Sequence, residues 1–190
     1  MLDILFKLKV RARGLFYALF LGKPFIKVGV NFKFFGTKNI EVGEGCAVGD
    51  NCWIEAVSAY KGKKYTPTIS LKSGVLCSDS VHISAILKIV IGQDVLIGSH
   101  VYIGDHSHGS TGSHIDLNIP PAERELSDAE EIYIGDRVWL CDGVVILAGT
   151  FLADGCVVGA NSVVKGVFKE PVLMAGAPAK IIRKFDDKKF

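Results

Sequence analysis

The chain has no uninterrupted apolar run approaching the roughly 18 residues that a bilayer-spanning helix needs. This holds although 49% of its 190 residues are hydrophobic and its mean hydropathy is +0.33. A spanning helix is thereby excluded, and the apolar residues serve to build a core. Net charge is equally scarce: 22 Lys and Arg against 20 Asp and Glu leave +2, with the basic residues scattered. Nucleic acid is therefore not an expected partner. No CxxC pair joins Cys46, Cys52, Cys77, Cys141 and Cys156, and their number is odd. Neither a zinc ribbon nor a closed disulfide framework follows from them. Unpaired thiols fit a reducing cytoplasm.

Residues 1–22 place Lys7, Lys9, Arg11 and Arg13 before the stretch Leu15 to Leu21. The shape resembles a secretion signal without an A-x-A cleavage site. Leu2, Leu5, Leu8, Leu15, Phe16 and Leu19 recur at helical spacing. A helix is expected here, lying either on the domain or a neighbouring subunit, or in the surface of a membrane.

From Val42 the chain repeats with a period of six. It reads VGEGCA, VGDNCW, IEAVSA, then LKSGVL, CSDSVH, ISAILK, then IGQDVL, IGSHVY, IGDHSH. From Ile134 it runs IGDRVW, LCDGVV, ILAGTF, LADGCV, VGANSV, VKGVFK. Six is neither the period of a helix nor that of a plain strand. An aliphatic residue and a second, small residue four positions later point inward, while Gly, Asn and Asp turn the corners. Three hexads close one triangular turn, and turns stack by parallel hydrogen bonding about 4.8 Å apart. The expected fold is all-β, a left-handed parallel β-helix of about five turns and roughly 25 Å. It has a short N-terminal helix, one long corner loop and a C-terminal tail. The expected division is 1–38 for helix and lead-in, 39–170 for the β-helix and 171–190 for a tail that leaves it to cap or clasp a neighbour. Cys46, Cys52 and Cys156 take the small inward place and Cys77 the aliphatic one, so the repeat accounts for them without catalysis.

Two interruptions stand out, 60–68 and 109–131, the second rich in turn formers and then acidic. A coil of this kind admits insertions at corners, and long loops there shape sites. His100, His106, His108 and His114 cluster beside the longer one, with His82 earlier. Imidazole titrates near neutrality, which suits a base that takes a proton from an attacking hydroxyl. Asp105 is placed to orient the ring of His106, although neighbours on a strand face opposite ways; a carboxylate from another chain serves equally. Zinc held by His106, His108 and His114 is a competing reading, and a surface histidine without a role is another. Trp53 and Trp139 both fall on outward places.

The segments IGDRVWLCDGVVI, VVGANSVVKG and AGAPAKIIRKF resemble the hexapeptide-repeat acyltransferases, and DHSHG after VLIGSHVYIG resembles their branch that O-acetylates surface polysaccharides. That branch is related to the maltose and galactoside acetyltransferases. The likeness covers roughly residues 39–184. It implies acetyl-CoA as donor, no metal, a homotrimer, and as acceptor a sugar, or a nucleotide-sugar or lipid-linked saccharide, in O-antigen, capsule or exopolysaccharide synthesis. It implies His106 as general base, with Asp105, His108, His82 and Trp139 as candidate substrate contacts. Asp142, Ala148, Ala160, Lys165, Lys180 and Arg183 correspond to positions along the donor. Asp142 departs from the Ser or Ala common at its place, and Lys180 from Arg. N-acetylation of a nucleotide-linked amino sugar is the alternative activity. A zinc hydratase and a non-catalytic scaffold are the other classes weighed. The expected location is cytoplasmic, with residues 1–22 able to hold the chain at the inner face of the membrane.

Overall fold

The computed structural model describes residues 2–110 and 118–185. One helix, α1 (Leu2–Leu21), precedes a coil of short strands. The strands stack into three parallel walls, as the hexads predict, and the coil is a left-handed β-helix. The first wall starts at Phe25–Val28, the second at Lys33–Phe35 and the third at Ile40–Val42. The second and third walls each hold six strands, so the coil makes six turns rather than five.

The extra turn corrects the boundary at residue 39. Phe25–Val28 pairs with Cys46–Val48, and Lys33–Phe35 with Trp53–Ala56, so both belong to the coil. Their hexad, VGVNFK, puts Phe32 where a small residue normally sits. A large side chain is tolerated because no further turn packs beneath it. Phe25, Phe32 and Phe34 cluster there, and Tyr17 of α1 lies edge-on to Phe32 at 5.7 Å. Val10 is buried, and Arg13 Nε donates to the Val28 carbonyl at 2.9 Å. The helix thus closes the open end of the core.

Aliphatic side chains form unbroken inward columns. On the second wall Ile54, Ile83, Ile103, Ile146 and Val164 are successive partners. Between the first and second walls the corner falls on Asn31, Asn51, Ser80, His100, Gly143 and Asn161, nearly all with φ near +55 to +70°. His100 is therefore a corner residue of the coil, in a left-handed conformation. As far as residue 185, the tail stays on its own chain. Val172–Gly176 extends the first wall beside Val157–Val158, and Ala179–Lys184 folds back antiparallel on it.

Cys46, Cys52, Cys77 and Cys156 are buried as the repeat predicts, and Cys141 is half-buried. Burial pushes all five thiols up, Cys77 furthest. A thiolate-specific disulfide reagent at pH 8 should therefore react slowly with the folded protein, Cys141 first, and rapidly with five thiols in denaturant. Four or more fast thiols in the native state would contradict this packing.

Candidate functional site

The corner between the second and third walls differs from the other two: both insertions leave the coil there. The first leaves on the second turn, after Trp53–Ala56, and the second on the fourth, after Tyr102–Gly104. They bond to each other across the intervening turn. Tyr60 Oη donates to the Ala122 carbonyl at 2.9 Å and Tyr65 Oη to that of Leu126 at 3.1 Å. Lys61 pairs with Glu123 and Lys63 with Glu125. The strand Ser107–His108 pairs antiparallel with Leu126–Ser127, closing the base of the longer loop.

His106 lies at the foot of these loops, its side chain only 7% exposed. The preceding strand ends at Gly104, so the alternation of faces no longer applies to Asp105 and His106. Asp105 Oδ1 lies 2.8 Å from His106 Nδ1. The same carboxylate accepts from the amides of Ile86, Leu87 and Lys88 at 2.8–2.9 Å. With Asp105 fully buried and these partners in place, the ring nitrogen facing it carries the proton and Nε2 is left as acceptor. Asp105 is therefore corrected as a substrate contact: it has no exposed surface and holds the ring from behind.

Beside His106, the outer face of the second wall carries a polar cluster that the hexads did not flag. Glu55 Oε1 accepts from Ser84 Oγ at 3.0 Å and lies 3.5 Å from His82 Nε2, an ion-pair distance without hydrogen-bond alignment. Burial raises the Glu55 carboxyl, but the His82 ring at 3.5 Å and the bond from Ser84 outweigh it and hold it below the usual range. Burial, then the charges of Asp105 and Glu55, push the Tyr102 phenol up. Lys33, Trp53, His82 and Tyr102 stack along the wall, with Trp53 and His82 rings 4.5 Å apart. A side chain at Gly104 would run into Tyr102 Oη, so only glycine leaves the ring in place. The available signal was the hexad's second place, usually Gly, which is Glu55 after Ile54 and Ser84 after Ile83.

The remaining candidates divide between two edges of the prism. Ala148 and Lys165 lie at the same corner as His106, one and two turns further on. Glu130 connects them: its amide donates to the Asp105 carbonyl, its carbonyl accepts from Gly149, and its carboxylate is 3.7 Å from Lys165 Nζ. Asp142 and Ala160 sit at the corner between the first and second walls, and Trp139, Lys180 and Arg183 lie on the first wall. A single chain therefore does not bring Trp139 to His106. Asp142 Oδ1 accepts from the Ser99 amide at 2.7 Å, an ordinary tie between turns. His108 is exposed and packs edge-on to Tyr60 at 5.3 Å. A groove of about 1030 Å³ runs along the third edge past Tyr133, Arg137, Phe151 and Lys169 and reaches none of these residues. His114 lies outside the described residues, and among those described no three His, Cys, Asp or Glu side chains converge on a metal position.

Asp105→Ala should lower stability by about 3 kcal/mol or more, because three buried or half-buried amides lose their acceptor. His106→Ala leaves those bonds intact and should cost much less. Denaturant midpoints of the two variants test this; equal losses would show that the carboxylate does not organise the corner.

No protein-family profile matches this sequence. The chain is 47% identical over 122 residues to the putative lipopolysaccharide biosynthesis O-acetyl transferase WbbJ of Escherichia coli K12, covering 62% of this chain and 61% of that one. It is 28% identical over 146 residues to the galactoside O-acetyltransferase of the same organism, covering 74% and 64%. The chain thus spans less than two thirds of the length of these relatives. In structure it resembles a hexapeptide-repeat acetyltransferase of Vibrio cholerae, VCA0836, solved with acetyl coenzyme A, with TM-score 0.53 and 25% identity over 95% of this chain and 84% of that one. The repeat, the three-walled coil and these relatives make the chain similar to the hexapeptide-repeat acetyltransferases.

Proposed function

We propose that the chain transfers an acetyl group from acetyl-CoA to a sugar hydroxyl during synthesis of a surface polysaccharide, with His106 as general base. The observation that carries this reading is the His106–Asp105 pair at the foot of two bonded insertions. Nε2 of His106 accepts the hydroxyl proton as the sugar oxygen attacks the thioester carbonyl. The C–S bond then breaks, and the same proton is returned to the departing CoA sulfur. Asp105 keeps the ring in the required tautomer and stabilises it while it is charged. The relatives' names support the substrate class.

The two-edge distribution of the other candidates supports a homotrimer. In such an assembly the edge with Trp139, Asp142 and Ala160 of one protomer faces the edge with His106, Ala148 and Lys165 of its partner. The donor then runs along both, with Lys180 and Arg183 towards its phosphates. Among the described residues no helix is long and apolar enough to cross a membrane. The outward side of α1, however, exposes Ile4, Leu5, Leu8, Leu15, Phe16, Leu19 and Phe20, with Lys9 and Arg11 exposed alongside. This side suits a bilayer surface, at the cytoplasmic face, and favours a lipid-linked acceptor.

His106→Ala should lose about 10²–10⁴-fold in kcat with an unchanged circular-dichroism spectrum. Thioester consumption against matched hydroxyl and amino sugars reads both the loss and the choice between O- and N-transfer; normal turnover in the variant sinks the assignment. For α1, wild-type protein should float with vesicles containing anionic phospholipid, and Leu19→Glu with Phe20→Glu should abolish flotation. Equal flotation of both would exclude contact through this face.

A further inference from the structure

The polar cluster beside His106 joins consecutive turns of the second wall and includes a partly exposed carboxylate. Glu55 and Ser84 stand at the same place on consecutive turns of the second wall, the next such place being Gly104 immediately before the Asp105–His106 pair. Ser84 is buried and donates to Glu55 Oε1, which fixes the carboxylate; Glu55 itself is 20% exposed. Among the described residues nothing donates to its second oxygen, Oε2. His82 lies 3.5 Å from Oε1 and is flanked by Trp53 on one side and Tyr102 on the other. The His82 Nε2 and Trp53 Nε1 atoms are buried without hydrogen-bond partners. A partly exposed carboxylate beside buried ring nitrogens that lack partners is costly unless something polar completes the group.

We infer that Glu55 is a specificity-determining residue for the acceptor, taking a hydrogen bond from a neutral sugar hydroxyl next to the one that reacts. This rests on the reading of His106 as the base. A charged acceptor oxygen gives a bond stronger than one between neutral groups and demands a donor in a fixed place. It also repels an anionic group at that position. The acceptor is therefore a neutral pyranose with adjacent hydroxyls, and a sugar whose carboxylate neighbours the reacting hydroxyl is rejected. The loss of the charge, without loss of shape, removes both effects.

The test compares wild type, Glu55→Gln and His106→Ala on methyl galactopyranoside, glucopyranoside and mannopyranoside and on the corresponding methyl uronides, with acetyl-CoA affinity measured by calorimetry. Wild type should favour the neutral sugars at least about tenfold in kcat/KM. In Glu55→Gln the KM for the neutral sugars should rise about tenfold with kcat little changed, and the preference over uronides should shrink to within about threefold. Acetyl-CoA affinity and the unfolding midpoint show whether the variant keeps its fold. The inference is overturned if wild type prefers uronides, if it turns over no neutral pyranoside, or if Glu55→Gln lowers kcat and leaves KM and preference unchanged. Failure of the base reading is a separate result: full turnover of the same sugars by His106→Ala.

Discussion

Every turn of the coil must return to the same perimeter, because its strands bond to the turn before and the turn after. That constraint governs the rest of the molecule. A turn with a larger or smaller path would break the inward columns such as Ile54, Ile83, Ile103 and Ile146, each of whose members is fully buried. Extra residues are consequently admitted only where they can leave and re-enter at one point, at a corner. Both insertions do so at the same corner, two turns apart, which lets Tyr60, Tyr65, Lys61 and Lys63 meet the longer loop.

The same constraint produces the His106–Asp105 pair. Where the longer insertion leaves, the wall has to end, and the chain after Gly104 no longer supplies regular partners to the turn below. Three amides, of Ile86, Leu87 and Lys88, would lack acceptors there. The Asp105 carboxylate takes all three and has one direction left, towards His106 Nδ1. A structural repair and the orientation of the His106 ring are thus made by one buried side chain. Burying a carboxylate is unfavourable unless it is fully bonded, and here it is.

The two ends of the coil show how the absence of a neighbouring turn changes the rules. At the start, aromatic side chains replace aliphatic ones and α1 covers them. At the other end, Ala179–Lys184 reverses direction along Val172–Gly176 and supplies an antiparallel edge strand instead of another turn. Both devices protect strand edges and core that a repeating unit alone would leave open.

From the sequence alone, the period of six determined the fold, the inward places and the burial of the cysteines, because a coil with a constant perimeter imposes the same demand on every hexad. The first turn escaped that reading because its inward residue is Phe32, permissible only where stacking ends. His106 was legible from its residue type and its place before the longest break. Its pairing with Asp105 was not, since adjacent residues on a strand diverge and only the three-dimensional path shows that the strand has stopped. Glu55 and Ser84 are 29 residues apart in the chain; the parallel register of neighbouring turns, a tertiary fact, sets them side by side. The sequence likewise contained every candidate donor contact, but only the prism showed that they occupy two edges that one chain cannot bring together.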